Sequence, residues 1–141
     1  MSRDIVEFTG YNRWLSNFWP CEITFEGLEF RSVEAAYVAA KTKDLDVRKK
    51  VQSFVASGDC KRFGRSIKLR DDWEEIKLGV MRDLLVQKFA PGSPLAVRLL
   101  ETGNCTIVEG NTWGDTFWGV FHGVGENNLG KLLMEIREGL K

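Results

Sequence analysis

The stretch that most constrains this chain is residues 31–41, which read R-S-V-E-A-A-Y-V-A-A-K. It is alanine-rich and holds neither Gly nor Pro, so a helix is the state its backbone favours. Ser32 stands where an N-cap is needed, and Glu34 falls in the first turn, where the helix dipole favours an acid. At about 100° per residue, Glu34, Val38 and Lys41 share one narrow stripe, with Tyr37 on its edge. The small side chains of Ala35, Ala36, Ala39 and Ala40 let neighbouring elements come close. A carboxylate and an amine therefore point the same way, about 10 Å apart along the axis. That is too far for a helical ion pair, which needs a separation of three or four residues. Two readings stand: both groups reach water from an otherwise buried helix, as Glu and Lys mostly do, or they bracket a small substrate.

The chain has 141 residues, 43% hydrophobic and 28% charged. These values predict one globular domain spanning 1–141, large enough for a real core. No apolar run approaches the about 20 residues of a membrane span. The opening M-S-R-D-I-V-E lacks the charged-then-apolar form of a secretory leader, so a cytoplasmic location without a membrane partner is expected. Cys21, Cys60 and Cys105 are far apart and odd in number, which fits neither a disulfide framework nor a zinc site. With His122 as the only histidine and no calcium-loop spacing of carboxylates, neither a metal nor a cofactor is expected. A formal net charge of zero gives no chain-wide footprint for nucleic acid, local patches apart.

Taken in order, residues 4–8 read as a short strand and 9–20 as an aromatic-rich structured loop that plugs the core or lines a pocket. Residues 22–30 alternate around Glu26-Gly27, the pattern of a hairpin. Asp44 can cap a helix over 45–57 that Gly58 ends, and Asp59 a short one over 60–67. Lys61, Arg62, Arg65, Lys68 and Arg70 form a basic cluster, either a solvated face or a contact for phosphates. The strongest helical pattern is 72–90, where Trp73, Ile76, Val80, Met81, Leu84, Leu85 and Phe89 make one apolar face. Pro94 opens a helix to about Glu101, 105–109 is β-like, and Asn127 caps a last helix. Between them, 111–128 mixes glycines with large aromatics, and one acid, Asp115, stands amid the aromatics. Such glycines let backbone approach backbone or ligand. The sum is an α+β, helix-dominated domain with a small β-sheet or hairpin.

With these stretches laid out, the chain resembles the NADAR family, the YbiA-like domains. The matching pieces run in the family's order over nearly the whole chain: L-S-N-F-W-P at 15–20, S-V-E-A-A-Y-V-A-A-K at 32–41, G-R at 64–65, D-W-E-E-I-K-L-G-V-M-R at 72–82, L-L-E-T-G-N at 99–104, D-T-F-W-G at 115–119 and G-E-N-N-L-G-K-L-L-M at 125–134. The resemblance implies an enzyme that cleaves an N-glycosidic bond at a ribose anomeric carbon. One branch of the family hydrolyses phosphoribosyl intermediates of riboflavin synthesis, and another removes ADP-ribose from guanine bases of nucleic acid. It carries catalytic roles onto Glu34, Lys41, Trp73 and Asp115. Substrate contacts fall on Asn17, Phe18, Arg31, Tyr37, Gly64, Arg65, Trp118 and Gly119. The chain departs from the pattern at Ala35, where many relatives carry histidine, and at Val120-Phe121, where an acid-glycine pair often follows W-G. Both departures bear on substrate choice more than on the core reaction.

Chemistry then assigns expectations to these residues. A neutral Lys41 can take the opened sugar aldehyde as a Schiff base, which requires burial or nearby cations to lower its pKa. Glu34 can open the ribose or protonate the departing base. Asp115 can hold ribose hydroxyls or serve as the second acid of a two-carboxylate scheme. Trp73 and Trp118 can stack on base or sugar, and Arg65 can hold a phosphate. Lys77 is the second-choice amine. The expected substrate is ADP-ribose on guanine of DNA. The rivals are a phosphoribosyl intermediate of riboflavin synthesis and a module that binds ADP-ribose or NAD without cleaving it.

Overall fold

The structure is a computed structural model that describes residues 4–141; Met1–Arg3, at the head of the stretch read for a leader, lie outside the described residues. The chain divides into two compact units, Asn17–Lys88 and Met1–Ser16 with Phe89–Lys141. The α+β, helix-dominated class expected from the sequence is what the structure shows, with short helices and two two-stranded sheets among the described residues.

In the unit Asn17–Lys88, β1 (Ile23–Phe25) and β2 (Leu28–Phe30) form an antiparallel hairpin in which Phe25 pairs with Leu28. The turn is Glu26-Gly27, as expected, and both residues have positive φ, 45° and 82°, the conformation that two-residue hairpin loops need. The alanine-rich helix follows as α1 (Val33–Ala40), with α2 (Leu45–Ser53), α3 (Ser57–Gly64) and α4 (Trp73–Lys88) after it. Helix α1 packs against α2, α3, α4 and the hairpin, and every residue in it except Glu34 is buried. A helix apolar all round belongs at the centre of its core, and the alanines make that possible. The side chain of Gln87 joins α4 to β1 by pairing with both backbone groups of Thr24, at 2.7 and 2.8 Å.

Two helix boundaries differ from expectation. Helix α2 stops at Ser53, and Phe54 turns extended at φ −75°, ψ 133°, where its ring packs 5.4 Å from that of Phe63. Helix α3 therefore begins at Ser57, placing Asp59 in its first turn instead of at its cap. Gly58 lies inside α3 and ends nothing.

In the other unit, β3 (Ile5–Glu7) pairs in parallel with β4 (Ile107–Gly110). Residues 9–20, expected as a loop, include a 3₁₀ helix at Gly10–Leu15. Its Trp14 is buried and meets Phe89 edge-on at 6.3 Å, so the tryptophan plugs the core. Helices α5 (Pro94–Glu101) and α6 (Asn128–Leu140) complete the unit. Asn127 precedes α6 without capping it: it is left-handed at φ 54° and makes no side-chain cap bond. Its amide instead accepts from Glu109 N and donates to the Ile107 carbonyl, both at 3.0 Å, tying α6 to β4.

Candidate active site

The unit Asn17–Lys88 brings together Asn17, Phe18, Glu34, Tyr37, Lys41, Gly64, Arg65 and Trp73. At the start of α1, buried Ser32 accepts a hydrogen bond from Ala35 N at 3.1 Å, which fixes the first turn. The Asn17 carbonyl accepts from Glu34 N at 3.0 Å, so the 17–18 segment lies across this end of the helix. Ser57 Oγ, on the first residue of α3, lies 3.2 Å from Ser32 Oγ and 3.3 Å from the Phe18 carbonyl oxygen. The Lys61 ammonium sits 5.6 Å from the centre of the Phe18 ring, a cation–π distance.

Lys41 follows the last turn of α1. Its N–H donates to the Val38 carbonyl at 3.2 Å, and its own carbonyl accepts from Arg70 N at 2.8 Å. The side chain is half-buried, with Nζ 5.5 Å from the centre of the Tyr37 ring. Tyr37 in turn packs 5.0 Å from the ring of Trp73, which is buried at 4% exposure. That burial makes Trp73 a wall behind Tyr37. Gly64, the last residue of α3, faces Lys41: a Cβ there would lie 3.6 Å from Lys41 Nζ and 3.0 and 3.2 Å from the Val38 methyls. The missing side chain is what leaves the amine its place.

Burial pushes the Lys41 pKa below the ordinary lysine value, Glu34 opposes the shift, and Lys61 and Arg65 add to it. The Glu34 carboxylate thus acts on the amine at the other end of its stripe. Lys77, the second-choice amine, is engaged by Glu74 at 2.5 Å on its own helix. Arg31 is exposed at the end of β2, with its carbonyl accepting from Cys21 N at 3.0 Å.

Asp115, Trp118 and Gly119 form a second cluster, in the other unit. Asp115 Oδ1 accepts from Phe117 N at 3.1 Å and Trp118 N at 2.9 Å. Asn111 closes the same turn by accepting from Asp115 N and donating to the Asp115 carbonyl. The acid of this loop therefore holds the backbone beside Trp118. At Gly119 a Cβ would collide with the Glu109 carbonyl oxygen, which is the close backbone approach that the glycines of this stretch imply.

Sequence reasoning left Ser57 and Cys60 out of the candidate set. Cys60 is buried, and its thiol pKa is raised by burial, then by the charges of Glu34 and Asp59. Neither position carries a local signal, because their partners lie far away along the chain. Lys61 belonged to the basic cluster by type alone; the structure is what places it by Phe18 and within reach of the Lys41 charge.

The unit Asn17–Lys88 thus sets a half-buried lysine at the end of a buried helix whose first turn carries a glutamate. The NADAR domain family model matches residues 7–141, and the chain belongs to that family. It is 38% identical to the N-glycosidase YbiA of Escherichia coli over 130 residues, covering 89% of this chain and 79% of that protein. A riboflavin biosynthesis protein of Vibrio vulnificus is 37% identical over 131 residues, 91% of this chain; the chain spans only 35% of that protein's length. Against the NMR structure of E. coli YbiA the TM-score is 0.85 at 35% identity, covering 99% of this chain and 86% of that one.

Proposed function

We propose that this chain cleaves the bond between ribose C1 and a base nitrogen, with ADP-ribose on guanine of DNA as substrate and Lys41 as covalent catalyst. The chain is a hydrolase acting on N-glycosyl compounds; the substrate and the division of labour are the proposal. The observation that carries it is Lys41 Nζ, half-buried against Tyr37 and Gly64 and held toward its neutral form by burial and by Lys61 and Arg65.

The steps balance as follows. Glu34, in its protonated form, gives its proton to the ring oxygen, the bond from C1 to that oxygen breaks, and C1 becomes an iminium on the base nitrogen. Lys41 Nζ adds to C1 with its lone pair. The base leaves with the electron pair of the C1–N bond and takes up a proton, leaving C1 as an imine of Lys41. Water adds to that imine, the amine departs, and the sugar closes its ring. Tyr37, with Trp73 behind it, keeps the amine desolvated, and Arg65 with the basic segment meets phosphate oxygens. The concentration of Lys61, Arg62, Arg65 and Lys68 in one short stretch supports a substrate richer in phosphate than a single phosphoribosyl group.

Reduction with borohydride during turnover is expected to join the ADP-ribose moiety to the protein at Lys41, seen as a mass increase on one peptide. Lys41→Ala should lose both the adduct and turnover; a fully active Lys41→Ala protein overturns the imine. The Vibrio relative, named for riboflavin biosynthesis, favours a second reading in which the substrate is a phosphoribosyl intermediate of that pathway. Assays run side by side decide between them. Free ADP-ribose with restored guanine supports the first substrate, and release of ribose 5-phosphate alone supports the second.

A further inference from the structure

A groove of about 660 Å³ lies in the unit Asn17–Lys88, with Lys68 of the basic segment in its lining. Its volume is in the range of about 300–1,000 Å³ typical of small-molecule sites. One wall is the chain just after Lys41, at Thr42–Asp44, with Val47 of α2; the other is the segment from Phe63 to Asp72. The groove shares its framework with the amine. Thr42 directly follows Lys41, the Arg70 N–H holds the Lys41 carbonyl, and Phe63 and Ser66 flank the Gly64-Arg65 pair that faces Lys41.

Its charges sort into those already committed and those that face solvent. Arg70 is paired with Asp72 at 2.6 Å, and Asp44 Oδ1 accepts from Asp46 N and Val47 N to cap α2. Lys43, Lys68 and Asp71 are exposed. Beside them the groove presents Val47, Phe63, Ile67 and Leu69, and Leu69 is 45% exposed. Two ammonium groups, one carboxylate and an apolar strip are the complement of a phosphate, a ribose diol and a base.

We propose that this groove seats a nucleoside 5′-phosphate: the phosphate on Lys43 and Lys68, the ribose hydroxyls donating to Asp71, the base against Leu69 and Ile67. It rests on the N-glycosidase reading, because it takes the part of the substrate beyond the ribose that Lys41 attacks. Two sources carry this chemistry, the distal nucleotide of ADP-ribose and a nucleotide next to the modified base on a strand.

Titrating the full ¹⁵N-labelled chain with AMP is expected to shift the amides of Thr42, Lys43 and Lys68–Asp71. Lys43→Glu and Lys68→Glu should each weaken AMP binding about tenfold or more, and adenosine lacking the phosphate should bind more weakly than AMP. Both lysines are exposed, and the spectra of the variants report their folding directly. ADP-ribose reproducing the AMP shifts more tightly assigns the groove to the distal nucleotide; a 5′-phosphorylated trinucleotide doing so assigns it to the strand. Shifts confined to other residues, no shifts at millimolar AMP, or binding indifferent to Lys43→Glu plus Lys68→Glu overturns the proposal. The readout needs no turnover, so a failure of the groove and a failure of the N-glycosidase chemistry are separate results.

Discussion

At the scale of single residues, the chemistry of Lys41 is set by what stands within a few ångströms of its nitrogen. Only the neutral amine attacks carbon, so kcat/KM is expected to rise with pH through the depressed Lys41 pKa. Lys61 contributes to that depression. Lys61→Met should therefore raise the Lys41 pKa and move the rising limb to higher pH, as a pH–rate profile would show; an unmoved limb would separate Lys61 from the amine. Gly64 acts by volume. The added methyl of Gly64→Ala must displace the Val38 methyls and crowd Nζ. A cost of about 1–2 kcal/mol in stability is expected, with a fall in kcat exceeding any rise in KM, measured by urea unfolding and steady-state kinetics. The stripe of Glu34 and Lys41 was legible in the sequence because helical period is a local property. That Gly64 faces Lys41 and that the Lys61 charge acts on it was not, because nothing in the residues between 41 and 61 encodes how α3 folds back onto α1.

At the scale of elements, α1 depends on its entry. Ser32 is 1% exposed, and its hydroxyl satisfies the Ala35 N–H with Ser57 alongside. Ser32→Ala leaves that donor buried without its acceptor and is expected to cost about 1–2 kcal/mol by urea unfolding. A loss under a few tenths would mean that α1 is held by packing alone. The sequence revealed this start, the Asp44 cap of α2 and the hairpin turn at Glu26-Gly27, because each is written in adjacent residues. It misplaced the break between α2 and α3, which turns on Phe54 meeting Phe63. Asn127 was misread for a similar reason: an asparagine before a helix looks like a cap, yet its amide is spent on Ile107 and Glu109 of β4. The 3₁₀ helix at Gly10–Leu15 escaped notice because burial of Trp14 depends on Phe89. In each case local chemistry was readable and long-range pairing was not.

At the scale of the whole molecule, one buried charge should shape stability against pH. Lys88 looked in the sequence like a cation near a helix C-terminus, yet it is 4% exposed. Burial lowers its pKa from 10.5 to about 7, with Cys21 opposing. Above about pH 10.4 the lysine is neutral in both states and costs nothing. Between there and about pH 7 the unfolded chain holds a proton that the folded chain does not, so stability falls as pH falls across this window. Below about pH 7 both states are protonated and the penalty is complete. At about 1.4 kcal/mol per unit it amounts to a few kcal/mol. Lys88→Met keeps an unbranched chain of similar length and removes the titration. Its stability relative to the parent is therefore expected to be greatest at pH 6, higher by about 2–4 kcal/mol than the same difference at pH 10. Urea unfolding of both proteins across this range measures it, since groups titrating alike in the two cancel in the difference. A difference that stays constant from pH 6 to pH 10 would mean that Lys88 keeps its proton in the folded chain.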